Sequence, residues 1–192
     1  MAKEILIGTR EGKTDLCNLQ PKDISLESIC GTLGNICRFN GRVNRHFSIA
    51  QHSMLVACIL DDMTDDMNVI IGGACHDFAE AFIGDIATPL KNEIALLEEL
   101  EPQILKSIAE QIDIGNYDSD LVHKADQIAC YQEACELGLD TSWWGFPESV
   151  TDYELSEEAF MILCSRTQPE QSATFLEMLY NELTKEKNNA QS

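Results

Sequence analysis

Positive charge is scarce in this chain: 13 lysines and arginines stand against 33 aspartates and glutamates in 192 residues, a formal net charge of −20. Tight binding to a nucleic acid duplex or to an anionic membrane surface needs a basic face, so both are excluded as expected partners. No run of 18 apolar residues is present, and the N-terminus Met-Ala-Lys-Glu-Ile-Leu-Ile-Gly has no signal-peptide core. We therefore expect a cytoplasmic protein. There is no C-x-x-C pair, which argues against a structural zinc ribbon. The eight cysteines are scattered singly at 17, 30, 37, 58, 75, 130, 135 and 164 and are expected to be reduced core residues. A glycine-rich phosphate loop and a Ser-His-Asp order are also missing, which argues against a kinase or covalent catalysis.

What is present suffices for one domain with a sizeable core. Residues 1–22, with Gly8, Gly12 and Pro21, read as an extended arm or hairpin. Residues 23–185 read as the body, and the polar stretch 186–192 as a frayed tail. Ser25 can cap a helix with an Ile29, Leu33 and Ile36 stripe, and Ser48 can cap one that runs to about Leu60. Further helices are predicted at about Val69–Phe82, Asn92–Gln111, Asp118–Gly138, Ser156–Ser165 and Pro169–Lys185. In the fourth, Leu96, Leu100, Leu105 and Ile108 are core candidates, and Pro102 is expected to kink or split it. Pro89 is expected to force Thr88 out of the helical region. The fold class is all-α, a helical bundle with metal ligands on facing helices.

One segment, Gly73 to Lys91, organises the chemistry. His76 and Asp77 lie side by side in a run of apolar and small residues, where an ionised carboxylate must be paired, hydrogen-bonded or bound to metal. A divalent cation satisfies imidazole and carboxylate at once. On a helix Glu80 lies one turn beyond the pair, where a general acid or base would be placed. Upstream, His52 sits in a predicted helix; downstream, Asp126 sits in another. The segment Cys37–His46 carries Arg38, Arg42, Arg45 and an aromatic in one loop, a chemistry suited to an anion and a base.

The order His52, His76-Asp77, Asp126 resembles the H…HD…D pattern of the HD-domain phosphohydrolases. Arg38, Gln51-His52-Ser53, Glu80, Gly84-Asp85, Thr88-Pro89 and Lys91 extend the likeness to bacterial 5′-deoxynucleotidases and to phage-type deoxynucleoside triphosphate phosphohydrolases, including those acting on dATP. The resemblance covers roughly residues 15 to 180 and implies an HD-domain helical bundle. It implies one divalent ion (Zn, Co, Mn or Mg) held by His52, His76, Asp77 and Asp126, with Glu80 handling water. It also implies Arg38 on the substrate phosphate, Asp85 positioning substrate, and Phe39 standing where those enzymes place a tryptophan that crowds the sugar. Arg45 and Lys91 are further candidate phosphate contacts. His123, one turn before Asp126, is expected to be structural or to support a ligand from outside. Trp143 and Trp144 are expected in core or subunit contacts, with pocket lining as the other reading.

The expected activity is hydrolysis of a nucleotide phosphoester, as a (deoxy)nucleoside triphosphate triphosphohydrolase or a 5′-deoxynucleotidase, with a deoxynucleotide as the expected substrate. The alternative is a nucleotide-binding metal sensor without turnover; cyclic-nucleotide phosphodiesterase activity ranks lower, since ligands for a second metal are not apparent. Relatives of this kind tend to be homo-oligomers, and by analogy a homo-oligomer is expected here.

Overall fold

The computed structural model describes residues 4–191; residues 1–3 of the expected arm and residue 192 of the expected tail lie outside it. The arm is a hairpin: β1 (Leu6–Thr9) pairs antiparallel with β2 (Gly12–Asp15), from Leu6 opposite Asp15 to Thr9 opposite Gly12. Its inner face is fixed by Thr14, which is buried and donates its hydroxyl to the buried Asp23 at 3.3 Å.

The body is helical. Ser25 caps α1 (Leu26–Asn35), and Ser48 with Gln51 forms a capping box on α2 (Ile49–Asp61). A capped apolar run is buried almost all round when it forms the centre of a bundle. In α2 every residue from Ile49 to Ala57 is buried, and α1, α3 (Met67–Cys75), α7 (Asp120–Glu136), α9 (Glu157–Cys164) and α10 (Pro169–Ala190) all pack against it. Close approach of α3 depends on glycine. A Cβ at Gly72 would lie 2.4 Å from the Asn116 carbonyl oxygen, and one at Gly73 would lie 2.2 Å from Leu60 Cδ1. No described helix is long and apolar enough to cross a membrane.

Several boundaries differ from those the sequence suggests, each for a local reason. The helix expected over Val69–Phe82 ends at Cys75, passes through four tightened residues and resumes as α4 (Glu80–Ile83). There Phe78 N–H donates to Cys75 O at 3.0 Å and Glu80 N–H to Asp77 O at 2.9 Å, three residues back. The Gly73 carbonyl is meanwhile taken by the His76 ring at 2.7 Å, a side chain competing for a main-chain acceptor. Gly84, at φ 80°, ends α4.

Thr88 is not expelled from the helical region: it opens the short α5 (Thr88–Lys91), with Pro89 in a first turn that needs no N–H from it. Pro102 does not split α6 (Ala95–Ala109). It sits on the exposed face, so the Glu98 carbonyl it leaves unbonded is open to water. The register of α6 turns Leu97, Leu100, Ile104, Leu105 and Ile108 inward and leaves Leu96 38% exposed. After α7 an irregular loop leads to α8 (Glu148–Thr151). The stretch from 186 is not frayed: α10 continues to Ala190, and Lys187 Nζ donates to Asn68 Oδ1 at 2.8 Å and to Asp113 Oδ2 at 2.6 Å. Of the cysteines, all free, only Cys30 and Cys75 are buried; Cys135 and Cys164 are exposed.

Candidate metal centre

Three separate segments bring ligating atoms to one point. His52 lies on α2 with no solvent exposure, His76 and Asp77 follow the end of α3, and Asp126 lies on α7. From His52 Nε2 the distances are 3.3 Å to His76 Nε2, 3.4 Å to Asp77 Oδ2 and 3.1 Å to Asp126 Oδ1. From His76 Nε2 they are 3.3 Å to Asp77 Oδ2 and 3.8 Å to Asp126 Oδ1. Metal–ligand bonds of about 2.0–2.2 Å put neighbouring donors about 2.8–3.6 Å apart in tetrahedral or octahedral shells. The spacing is thus close to that of a coordination shell, and His52, His76 and Asp126 form a group that could hold a metal ion.

Tautomers sharpen the fit. His76 Nδ1 donates to the Gly73 carbonyl, and His52 Nδ1 donates to Glu133 Oε1 at 2.7 Å. Each neutral ring then turns an Nε2 lone pair into the same space, opposite two carboxylates. Lone pairs and anions so close require a shared positive charge, supplied by a proton or by a cation. With protons alone, burial lowers the His76 pKa but Asp77 and Asp126 outweigh it and push it up to about 10. For Asp77, burial acts upward and is overcome by His76 and His52, which hold the carboxyl well below the usual range.

Glu80 lies at the start of α4, buried, and its Oε2 has no hydrogen-bond partner among the described residues. Burial first, then Asp77, pushes its pKa well up, with Arg38 and His52 opposing. A buried carboxyl oxygen without a protein partner, next to a ligand candidate, is a group that can accept a proton from something bound there.

Arg38 is buried and its Nε donates to Glu133 Oε2 at 3.1 Å. Glu133, with no exposure, therefore joins the Arg38 guanidinium to the His52 ring. The sequence reading overlooked it. The available signal was its position seven residues after Asp126 on α7, two turns along the same face.

The other candidates have varied placements. Phe39 follows Arg38 in a turn where it and Asn40 adopt φ of 55° and 53°. Asp85 Oδ2 accepts the Phe39 N–H at 3.1 Å, so Asp85 shapes that turn rather than its own. Arg45 is not free for phosphate: its guanidinium donates to the Leu163 and Ser165 carbonyls at the end of α9 and lies 3.7 Å from Glu136. Lys91 pairs with Glu101. His123 is a surface group whose Nε2 meets Asp118 Oδ1 at 3.0 Å, outside the donor cluster. Trp143 is 75% exposed, while Trp144 packs against Phe39 with ring centroids 6.1 Å apart. A cavity of about 440 Å³ between the hairpin, α1 and α4 is lined by Arg10, Asp23, Thr32 and Phe82 among others, and by none of the donor residues.

No family model matches the chain. It is 31% identical over 134 residues to the uncharacterized protein YfdR of Escherichia coli K12, covering 69% of this chain and 72% of that one. It is also 32% identical over 90 residues to an uncharacterized protein of Rhodobacter capsulatus, covering 43% of this chain and 44% of the other. With that extent of shared sequence, the chain belongs to the family of the E. coli protein YfdR.

Proposed function

We propose that this chain is a metal-dependent phosphohydrolase of the HD-domain type that hydrolyses a nucleotide phosphoester. The substrate would be a deoxynucleoside triphosphate, cleaved to nucleoside and triphosphate, or a 5′-deoxynucleoside monophosphate, cleaved to nucleoside and phosphate. The observation that carries the reading is the meeting of two imidazole Nε2 atoms with carboxylate oxygens 3.1 to 3.8 Å away, beside the unpartnered Oε2 of Glu80.

His52, His76, Asp77 and Asp126 would hold one divalent ion, and the imidazole pair favours zinc, cobalt or manganese over magnesium. When bound, such an ion supplies Lewis acidity and lowers the pKa of water from about 15.7 toward 7. Glu133 fixes the His52 tautomer by accepting its Nδ1 proton. Glu80 Oε2 would take the proton released by the attacking water. Arg38 keeps Nε on Glu133, and its terminal nitrogens, which have no ion-pair partner among the described residues, would donate to the phosphoryl oxygens.

Charge balance supports this division of labour. Two neutral imidazoles and two carboxylates are net negative, which would repel phosphate in a chain already at −20. A divalent cation cancels that pair, and Arg38 and Glu133 cancel each other, so the ionised Glu80, the proton acceptor, is the carboxylate of the centre left uncompensated and an anionic substrate meets far less negative charge than it would without the ion. Asp126, with its side chain 40% exposed, marks the side open to solvent.

The test is turnover by protein stripped of metal and reloaded with zinc, cobalt, manganese or magnesium, on a panel of nucleoside mono- and triphosphates with products separated by chromatography. Metal-dependent release of phosphate or triphosphate is expected, with loss in Asp126→Ala. Absence of metal-dependent turnover on every nucleotide, with nucleotide binding retained, would instead mean a sensor.

A further inference from the structure

We infer that Trp144, from the loop between α7 and α8, forms with Phe39 the subsite that holds the nucleobase of the substrate. The inference rests on the nucleotide reading above and adds the residue that recognises the base.

A line of contacts runs from the donor cluster to this aromatic group. His52 meets Glu133, Glu133 meets Arg38, and the Arg38 guanidinium carbon lies 5.3 Å from the centre of the Phe39 ring. The Phe39 ring meets Trp144 at 6.1 Å with a 48° tilt, and Trp144 meets Phe146 at 5.8 Å. The phosphate-facing arginine thus gives directly onto an aromatic wall. Nucleobases bind such surfaces because every base presents a π-face.

Both aromatic residues are held in place by the main chain. Phe39 keeps its left-handed backbone, uncommon outside glycine, while Asp85 takes its N–H and the Arg38 N–H donates to Phe47 O at 2.8 Å. The Trp144 loop is closed by its own N–H to Thr141 O at 3.1 Å and by Ser142 N–H to Asp140 Oδ1 at 3.0 Å. Asn44 N–H donates to Leu137 O at 3.1 Å, tying the end of α7 to the loop that bears Phe39.

The second observation is polar. Trp144 Nε1–H is shielded from water and has no acceptor among the described residues. A shielded indole N–H normally finds a partner. Trp144 is also outside the main apolar core and packs at its rim, against Phe39, Phe146 and Trp143. A heterocyclic base carries ring-nitrogen and carbonyl acceptors, and Phe39 with Phe146 would support its face.

Trp143 and Trp144 are the only tryptophans, so Trp143→Phe leaves Trp144 as the sole indole reporter. Adding deoxyadenosine to this metal-free variant should change its tryptophan emission saturably, and inorganic phosphate should not. In metal-loaded protein, Trp144→Phe keeps a ring but removes the donor, and Trp144→Leu removes both. Selectivity for dAMP over base-free ribose 5-phosphate should fall in the Phe variant and about tenfold or more in the Leu variant, mainly through KM. Emission that ignores deoxyadenosine, or unchanged selectivity in Trp144→Leu, overturns the inference. If no nucleotide is hydrolysed but deoxyadenosine still titrates Trp144, the subsite stands and the hydrolase reading fails.

Discussion

Glu133 and His52 form a contact that orients the donor cluster: Glu133 Oε1 lies 2.7 Å from His52 Nδ1, with both side chains fully buried. Because Glu133 Oε2 also accepts from Arg38, one carboxylate fixes a ring of the donor cluster together with the guanidinium proposed to meet phosphate. Glu133→Gln keeps the shape but removes the charge. Metal affinity, measured by competition with a chelator, is expected to fall by about 10–100-fold, the usual range for such supporting partners. Unchanged affinity would show that His52 is oriented by packing alone.

Ligand binding to the folded state raises stability by mass action, about 2.7 kcal/mol at 100 times Kd. Wild-type protein should therefore melt at higher temperature as zinc or manganese is added. Asp126→Ala, on an uninterrupted helix, should lose most of that shift while its metal-free melt stays close to wild type. Equal shifts in both proteins would remove Asp126 from the site.

Arg38 and Arg45 belong to one loop but should respond oppositely. Arg45→Met releases the α9 carbonyls and is expected to cost about 1–3 kcal/mol of stability by urea denaturation, with kcat near wild type. Arg38→Met should lower kcat by two or more orders of magnitude, the typical scale for losing one electrostatic contact to a developing charge. The reverse pattern would exchange their roles.

Gly72→Ala drives a methyl group against the Asn116 carbonyl, main chain that moves only with the turn around it. A loss of about 1–3 kcal/mol is expected, as for other overpacked positions. A neutral result would mean that the Asn116 turn yields freely.

The C-terminal turn of α10 should detach in acid. Burial raises the Asp113 pKa, but the hydrogen bond from Lys187 and the Gly115 N–H outweigh it and lower it. A depressed carboxyl stabilises above its unfolded value, about 3.9, and that contribution is lost as pH falls through the folded value. Protection from hydrogen exchange across residues 184–190, taken relative to intrinsic rates that themselves slow in acid, should fall below about pH 3.9, and at neutral pH in Lys187→Ala. The effect is modest, since the Asp113 side chain is 45% exposed.

Helix starts were legible in the sequence because Ser25 and Ser48 each place an oxygen before an apolar run, and both cap helices in the structure; Ser156, read only as a helix boundary, is a cap as well. The donor candidates were legible because His76-Asp77 inside an apolar run needs an explanation, and because His52 and Asp126 complete with them an order that resembles the H…HD…D pattern. What escaped was set by tertiary contact. Glu133 looks like any helical glutamate until Arg38 and His52 surround it. Arg45 looked like a phosphate ligand because nothing local shows that α9 ends beside it. Lys187 looked like tail until Asn68 and Asp113 met it. The break after Cys75 depends on one side chain taking a main-chain acceptor, which residue periodicity does not encode.

That break has a practical bearing on how the centre is dissected. The imidazole at position 76 grips the carbonyl of Gly73, so the ring that faces the cluster also sets the winding of the chain that delivers Asp77 and Glu80. Truncating it removes a donor and frees the local coil to rewind, moving the carboxyl group expected to receive a proton. Experiments at that position report ligation and chain geometry inseparably, whereas α7 offers a donor whose removal leaves the surrounding scaffold intact.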